Sequence, residues 1–402
     1  MPTASPSASP QSSPPEEASP TADLAIVLGG GGARAAYQVG VIRTLARHRP
    51  DLRIPIITGV SAGAINAIYL ASHAGNLYET AEGLHQLWED LEVDEVFRVD
   101  APSLSRLVLA WGLRLVTGGA RRARRVRALV DTAPLDRLLA NCLTNVGREV
   151  VGVEANLTAE RLKAVALTTL DYATGQTVTW YQGRDIEDWE RPHRKSARCR
   201  MTIDHVMASA ALPLLFPAIR LGNSWHGDGG VRLTAPLSPA LHLGASRVLA
   251  ISTRYDRSRA EADEPNITGY PPPAQILGLL MNAIFLDLMD QDLSRLQLMN
   301  QVIADLPPDH GKDLHHVEVQ VMRPSVDLGK LAGQYEVRLP KVFRFLTRGL
   351  GTRETKSPDF LSLLMFQPDY LQKLVEIGEN DAEARIEELL ALVDGGRAQR
   401  PA

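Results

Sequence analysis

Two short apolar runs, each ended by glycine and each followed by a helix-forming stretch, constrain the start of this chain more than any other feature. Leu24–Leu28 (L-A-I-V-L) is continuous and apolar, as strands buried on both faces are. Glycines 29–32 end it, and 33–47 then shows helical spacing through Tyr37, Val41, Ile42 and Leu45. Residues 54–57 supply a second strand, Gly59-Val60-Ser61-Ala62-Gly63 a tight turn, and 64–72 a second helix. This order is a βαβα unit, which winds right-handed over a parallel sheet. Further strands are predicted at 163–169, 177–181, 247–253 and 317–322, and helices at 77–91, 134–143, 204–209 and 236–243. The alternation predicts a three-layer α/β/α domain with a mostly parallel sheet.

The turn carries the chemistry. A serine between two glycines at a strand-to-helix turn sits in strained backbone, with its hydroxyl where a carbonyl can reach it. Gly59 and Gly63 have a steric reason, since side chains there would block the turn or the substrate. A serine hydroxyl is a weak nucleophile, so Ser61 requires a base and a stabiliser for the oxyanion it creates. The glycines at 29–32, between a strand and its helix, offer converging backbone N–H groups, with Arg34 adding positive charge beside them.

The same loop satisfies G-x-G-x-x-A through Gly30, Gly32 and Ala35, the dinucleotide fingerprint. That reading needs an acidic residue about 20 positions on, at the end of the second strand. Here the second strand runs into Thr58-Gly59-Val60-Ser61, so no nucleotide cofactor is expected.

For the base, chain order leaves His205, His226, His242 and His310 open as members of a triad. Asp228, fenced by Gly227, Gly229 and Gly230 after 219–221, is the aspartate alternative, although Asp-Gly is also a common turn dipeptide.

The 402 residues suffice for one large or two modest domains, and 45% hydrophobic with 22% charged residues suits a soluble globular chain. A net charge of -4 argues against a general nucleic-acid binder. Cys142 and Cys199 make no disulfide framework, and neither an H-E-x-x-H pair nor a D-x-D-x-D-G loop is present, so no metal is expected. Residues 1–22 read as a disordered Pro/Ser-rich leader. No run approaches the ~20 apolar residues of a membrane span. The expected location is cytoplasmic, soluble or peripheral at a membrane. Residues 104–130 mix aliphatics with Arg121, Arg122, Arg124, Arg125 and Arg127, which suits an interfacial contact or a solvated helix face. The Leu- and Met-rich amphipathic stretch 274–303 suits a lid or a packed helix, and one more amphipathic helix is predicted from about Asp381.

Three motifs in order carry a resemblance: G-G-G-G-A-R-A-A-Y-Q-V-G-V-I at 29–42, G-V-S-A-G-A-I-N-A at 59–67 and D-G-G at 228–230. Together they resemble the signatures of patatin-like phospholipases, and A-S-A-A-L-P-L-L-F-P at 208–217 is similar to that family's approach to its aspartate. Ala35 departs from the glycine common there. The segment 323–329 resembles one that follows the core in bacterial members.

The resemblance implies a patatin-like catalytic domain at 23–255, with the mainly helical 256–402 partly completing it. It also implies a Ser–Asp dyad without histidine. Ser61 would be the nucleophile, Asp228 the base, and the Gly30, Gly31 and Gly32 amides the oxyanion hole, supported by Arg34, Gly59, Gly63, Gly229 and Gly230. The implied substrate is a phospholipid or other acyl ester, with no cofactor and no nucleic acid. A soluble carboxylesterase or thioesterase and a non-catalytic scaffold of the same fold are the alternatives.

Overall fold

The computed structural model describes residues 23–98, 128–307 and 315–395. The 1–22 leader, most of 104–130 with its five arginines, and His310 lie outside the described residues.

One sheet organises the chain. Its strands are β1 (Leu24–Leu28), β2 (Ile56–Val60), β3 (Ala164–Asp171), β4 (Thr177–Gly183), β5 (Glu190–Arg191), β6 (Arg194–Arg198), β7 (Ile219–Leu221), β8 (Ser224–Asp228), β9 (Arg247–Ile251) and β10 (Glu318–Met322). They lie in the order β10-β9-β1-β2-β3-β4-β6-β5, with the β7–β8 hairpin attached to β3. From β10 to β3 every pairing is parallel. In β1, Leu24, Ile26 and Leu28 enter one core while Ala25 and Val27 enter another on the opposite face. That is why the run is apolar without a break: both faces of a central parallel strand are covered.

Helices α1 (Ala36–His48) and α2 (Ala62–Ser72) cover one face, joined by the helix Pro368–Ala384. Helices Ser238–His242 and Leu288–Ala304 cover the other. The architecture is three-layer α/β/α with a mostly parallel sheet. On the first face α1 and Pro368–Ala384 touch backbone to backbone. A Cβ on Gly40 would lie 2.1 Å from the Val375 carbonyl oxygen, and one on Gly378 2.2 Å from that of Tyr37.

The structure departs from the sequence expectations in three places. The stretch 274–303 is two helices, Pro273–Phe285 and Leu288–Ala304, and the break at Leu286 lets Asp287 and Asp290 meet Arg254 while Asp290 also meets Arg323. Asp228 closes a strand rather than sitting in a turn; the hairpin turn is at Gly222, whose φ is 59°. The final segment is the end of Pro368–Ala384 followed by Ile386–Val393. Among the described residues no helix is long and apolar enough to cross a membrane.

Candidate active site

The register of β3 brings two distant residues together. Along one edge β3 pairs first with β2, Val60 opposite Thr168, and then with β8, Asp228 opposite Thr169. β4 occupies the other edge. Because β2 is parallel to β3 and β8 antiparallel, the two run toward each other and their C-terminal ends meet at adjacent positions. Ser61 follows the last residue of β2, and Asp228 is the last of β8.

Ser61 stands at φ 57° and ψ −132°, a conformation that costs a non-glycine residue about 1–3 kcal/mol. The surroundings over-determine it. Its N–H donates to Ser209 Oγ at 3.1 Å, and the Ser209 hydroxyl donates to the Thr168 carbonyl at 2.7 Å. The Asp228 N–H donates to the Ala211 carbonyl at 2.9 Å, so the segment 209–211 positions both residues. At the elbow, a Cβ on Gly63 would lie 2.3 Å from the Leu28 carbonyl oxygen, and one on Gly59 2.5 Å from that of Gly63. The helix can enter this close to β1 only without side chains there.

Asp228 is 0% exposed. Its Oδ1 accepts from the Gly230 N–H at 2.9 Å. The nearby Ser61 hydroxyl and the Gly230 N–H both favour the charged carboxyl, while Oδ2 has no hydrogen-bond partner among the described residues. Burial outweighs both influences and pushes the Asp228 pKa up to about 7. Gly229 and Gly230 fit it closely: a Cβ on the first would lie 2.3 Å from the Thr168 carbonyl oxygen, and on the second 2.4 Å from the Phe285 ring.

The glycine loop lies against Ser61, a Cβ on Gly30 falling 3.0 Å from Ser61 Cβ. Gly31 and Gly32 have φ of 154° and 55°. The Gly29 amide is used, donating to the Ile251 carbonyl at 3.3 Å, whereas those of Gly30, Gly31 and Gly32 have no acceptor among the described residues. Arg34 points away from them. Buried at 3% exposure, it donates to Asp359 Oδ1 and to Ser362 Oγ, both at 2.6 Å. Its charge is therefore neutralised, and its contribution to the loop is mechanical.

Behind the loop runs a buried chain of amides. Trp88 Nε1 donates to Asn66 Oδ1 at 2.8 Å, Asn66 Nδ2 to Gln38 Oε1 at 2.9 Å, and Gln38 Nε2 to the Gly29 carbonyl at 2.8 Å. It ties α2 to the glycine loop. The sequence contains a signal for it, since Asn66 and Gln38 are lone polar residues on otherwise apolar helix faces. Ser209, Asp359 and Ser362 have no comparable local signal.

An apolar cavity of about 40 Å³ opens on Ser61, lined among others by Trp88, Leu135, Phe216, Leu363 and Phe366. The histidines are elsewhere employed. His226 faces Thr169 Oγ1 at 3.0 Å, His205 Nδ1 faces the Thr202 hydroxyl at 2.8 Å, and His242 packs tilted against Trp189, the ring centroids 4.8 Å apart. Burial lowers the pKa of all three, His205 to about 4. Among the described residues none of them hydrogen-bonds Ser61 or Asp228, and no group of three His, Cys, Asp or Glu is arranged to hold a metal.

A family model, patatin-like phospholipase, matches residues 26–241. No curated protein matches the chain in sequence. Among solved structures, it is similar to VipD from Legionella pneumophila at 12% identity, covering 88% of this chain and 67% of that one with a TM-score of 0.34. Human GIVD cytosolic phospholipase A2 is similar at 11% identity over 94% of this chain and 60% of its own, TM-score 0.44. ExoU from Pseudomonas aeruginosa is similar at 14% identity over 88% of this chain and 53% of its own, TM-score 0.32. The chain thus spans roughly half to two thirds of these proteins, and likenesses this remote carry no argument about function.

Proposed function

Because this chain belongs to the patatin-like phospholipase family, a family of lipid hydrolases, we propose that it cleaves fatty-acyl esters of phospholipids with Ser61 as nucleophile and Asp228 as base. The observation that supports this most is the meeting of Ser61 with a fully buried carboxyl at the junction of β2 and β8, beside an apolar cavity.

The reaction runs in two steps. Asp228 takes the hydroxyl proton of Ser61 as Oγ attacks the ester carbonyl, and the resulting oxyanion is held by amides of Gly30, Gly31 and Gly32. The proton then goes from Asp228 to the departing lysophospholipid oxygen, leaving an acyl ester on Ser61. Water, deprotonated by Asp228, attacks this ester; collapse releases the fatty acid and returns the proton to Ser61. With its pKa near 7 instead of 3.8, Asp228 is a far stronger base than an exposed carboxylate, yet half ionised at neutral pH. One oxyanion donor is worth roughly 10²–10³ in turnover. The apolar cavity receives the acyl chain.

That cavity, at about 40 Å³, holds no long chain until its walls part, which favours one second reading: a soluble esterase for short acyl groups. Purified protein incubated with mixed phospholipid vesicles, with Ser61→Ala as control, separates the two. Release of long-chain fatty acid by the wild type alone supports the phospholipase. Cleavage of short-chain nitrophenyl esters with no release from vesicles supports the esterase. A folded wild type that a fluorophosphonate fails to label would end both.

A further inference from the structure

Helix Lys341–Gly349 has two faces of unlike chemistry. At 3.6 residues per turn, Lys341, Arg344, Phe345 and Arg348 share an arc of about 100° while Phe343 and Thr347 point the other way. Exposure follows the wheel: Phe343 and Thr347 are buried, and Phe345 is 77% exposed. Residues 337–353 contain Arg338, Lys341, Arg344, Arg348 and Arg353, and no Asp or Glu. Arg338 pairs with Asp369 and Arg353 lies 3.7 Å from Glu336. Lys341, Arg344 and Arg348 make no ion pair among the described residues. A large apolar ring thus stands in water amid three cations that no carboxylate answers among the described residues.

The inner face leads to the active site. The Phe343 ring packs on Phe97 at 5.7 Å between centroids, and Phe97 packs on Phe216 at 5.6 Å and Phe366 at 6.2 Å. Phe216 and Phe366 line the cavity on Ser61. The exposed face is therefore the outside of an aromatic stack whose inside is the wall of that cavity.

We propose that the face formed by Lys341, Arg344, Phe345 and Arg348 docks on an anionic lipid surface. A short helix with cations beside an aromatic ring suits a charged bilayer interface: the ring enters the boundary of headgroup and acyl chain while the cations meet phosphate. Docking there puts the aromatic stack, and through it the cavity wall, against the surface that holds the substrate. The inference rests on the lipid-hydrolase reading for its purpose, but binding can be measured without turnover.

The test is co-sedimentation of the full chain carrying Ser61→Ala with vesicles of phosphatidylcholine, with and without phosphatidylglycerol. Binding is expected only with phosphatidylglycerol, and it should fall steeply as salt rises. Lys341→Gln with Arg348→Gln should weaken it about 30-fold, and Phe345→Ser about tenfold. In the Ser61 background the same variants should hydrolyse a soluble short-chain ester as the wild type does, which shows that they fold. Equal binding to both vesicle types, or variants that bind as tightly as their parent, would overturn the docking face. So would a dimer that Phe345→Ser dissolves, since the face would then belong to a second copy of the chain. If vesicles bind as expected but the wild type hydrolyses no ester, docking stands and the enzymatic reading falls.

Discussion

Residues 24–72 and residues 328–393 build the same site by different means. The first stretch supplies the glycine loop and Ser61 through two strand-to-helix turns that follow each other directly in sequence. The second supplies none of the proposed catalytic groups, yet holds that loop from behind. A Cβ on Gly32 would lie 2.1 Å from the Leu363 carbonyl oxygen, Arg34 is pinned by Asp359 and Ser362, and α1 packs backbone to backbone on Pro368–Ala384. The difference teaches that a strained loop with free amides is stable here because a remote part of the chain presses on it. Reactive geometry is local, and its rigidity is not.

The contrast is sharpest at Asp228, where chemistry and stability should separate. Asp228→Asn removes the proposed base and should lower turnover by about 10³ or more. It should also stabilise the fold at alkaline pH. The folded-state pKa, about 7, lies above the ordinary 3.8, so the folded protein binds the proton more tightly and loses stability as pH rises through that window. The separation corresponds to about 4 kcal/mol, part of which Asn recovers. A Tm for the variant higher than wild type by about 5 °C at pH 8, with the gain fading below pH 4, is the expected scan.

Asp359→Ala tests the other side of the comparison. It leaves the Arg34 guanidinium buried without its carboxylate, expected to cost about 3 kcal/mol in denaturant unfolding. Activity should fall with it although no proposed catalytic group is touched. Unchanged activity at full folding would show that the C-terminal helices merely cover the loop. Ser209→Ala should act more gently, lowering kcat about tenfold with KM unchanged, because one N–H bond to the strained elbow is lost.

Legibility in the sequence follows the same division. The βαβα unit is readable because its signals are local: a continuous apolar run, glycines, helical spacing, G-x-S-x-G. The second strand begins at Ile56, not residue 54, and extends through Val60, since pairing with β3 continues to Thr168. Asp228 is recognisable as a residue between glycines, but its setting at the end of a strand follows from pairing with Thr169, which no local period announces. Asp359 and Ser362 meet Arg34 from most of the chain's length away in sequence, and polar residues in an ordinary stretch give no hint of that. Helix Lys341–Gly349 has an amphipathic pattern, but only its packing shows that Phe345 faces outward.

The pH dependence of fluorophosphonate labelling, with the modified peptide located by mass spectrometry, addresses the central claim most directly. Ser61 should be the residue labelled, and the rate should rise through a single ionisation near pH 7. Labelling should be lost in Asp228→Asn and retained in His226→Ala and His242→Ala. Labelling of Ser61 that survives Asp228→Asn but disappears with one of those histidines would contradict the account and restore a triad.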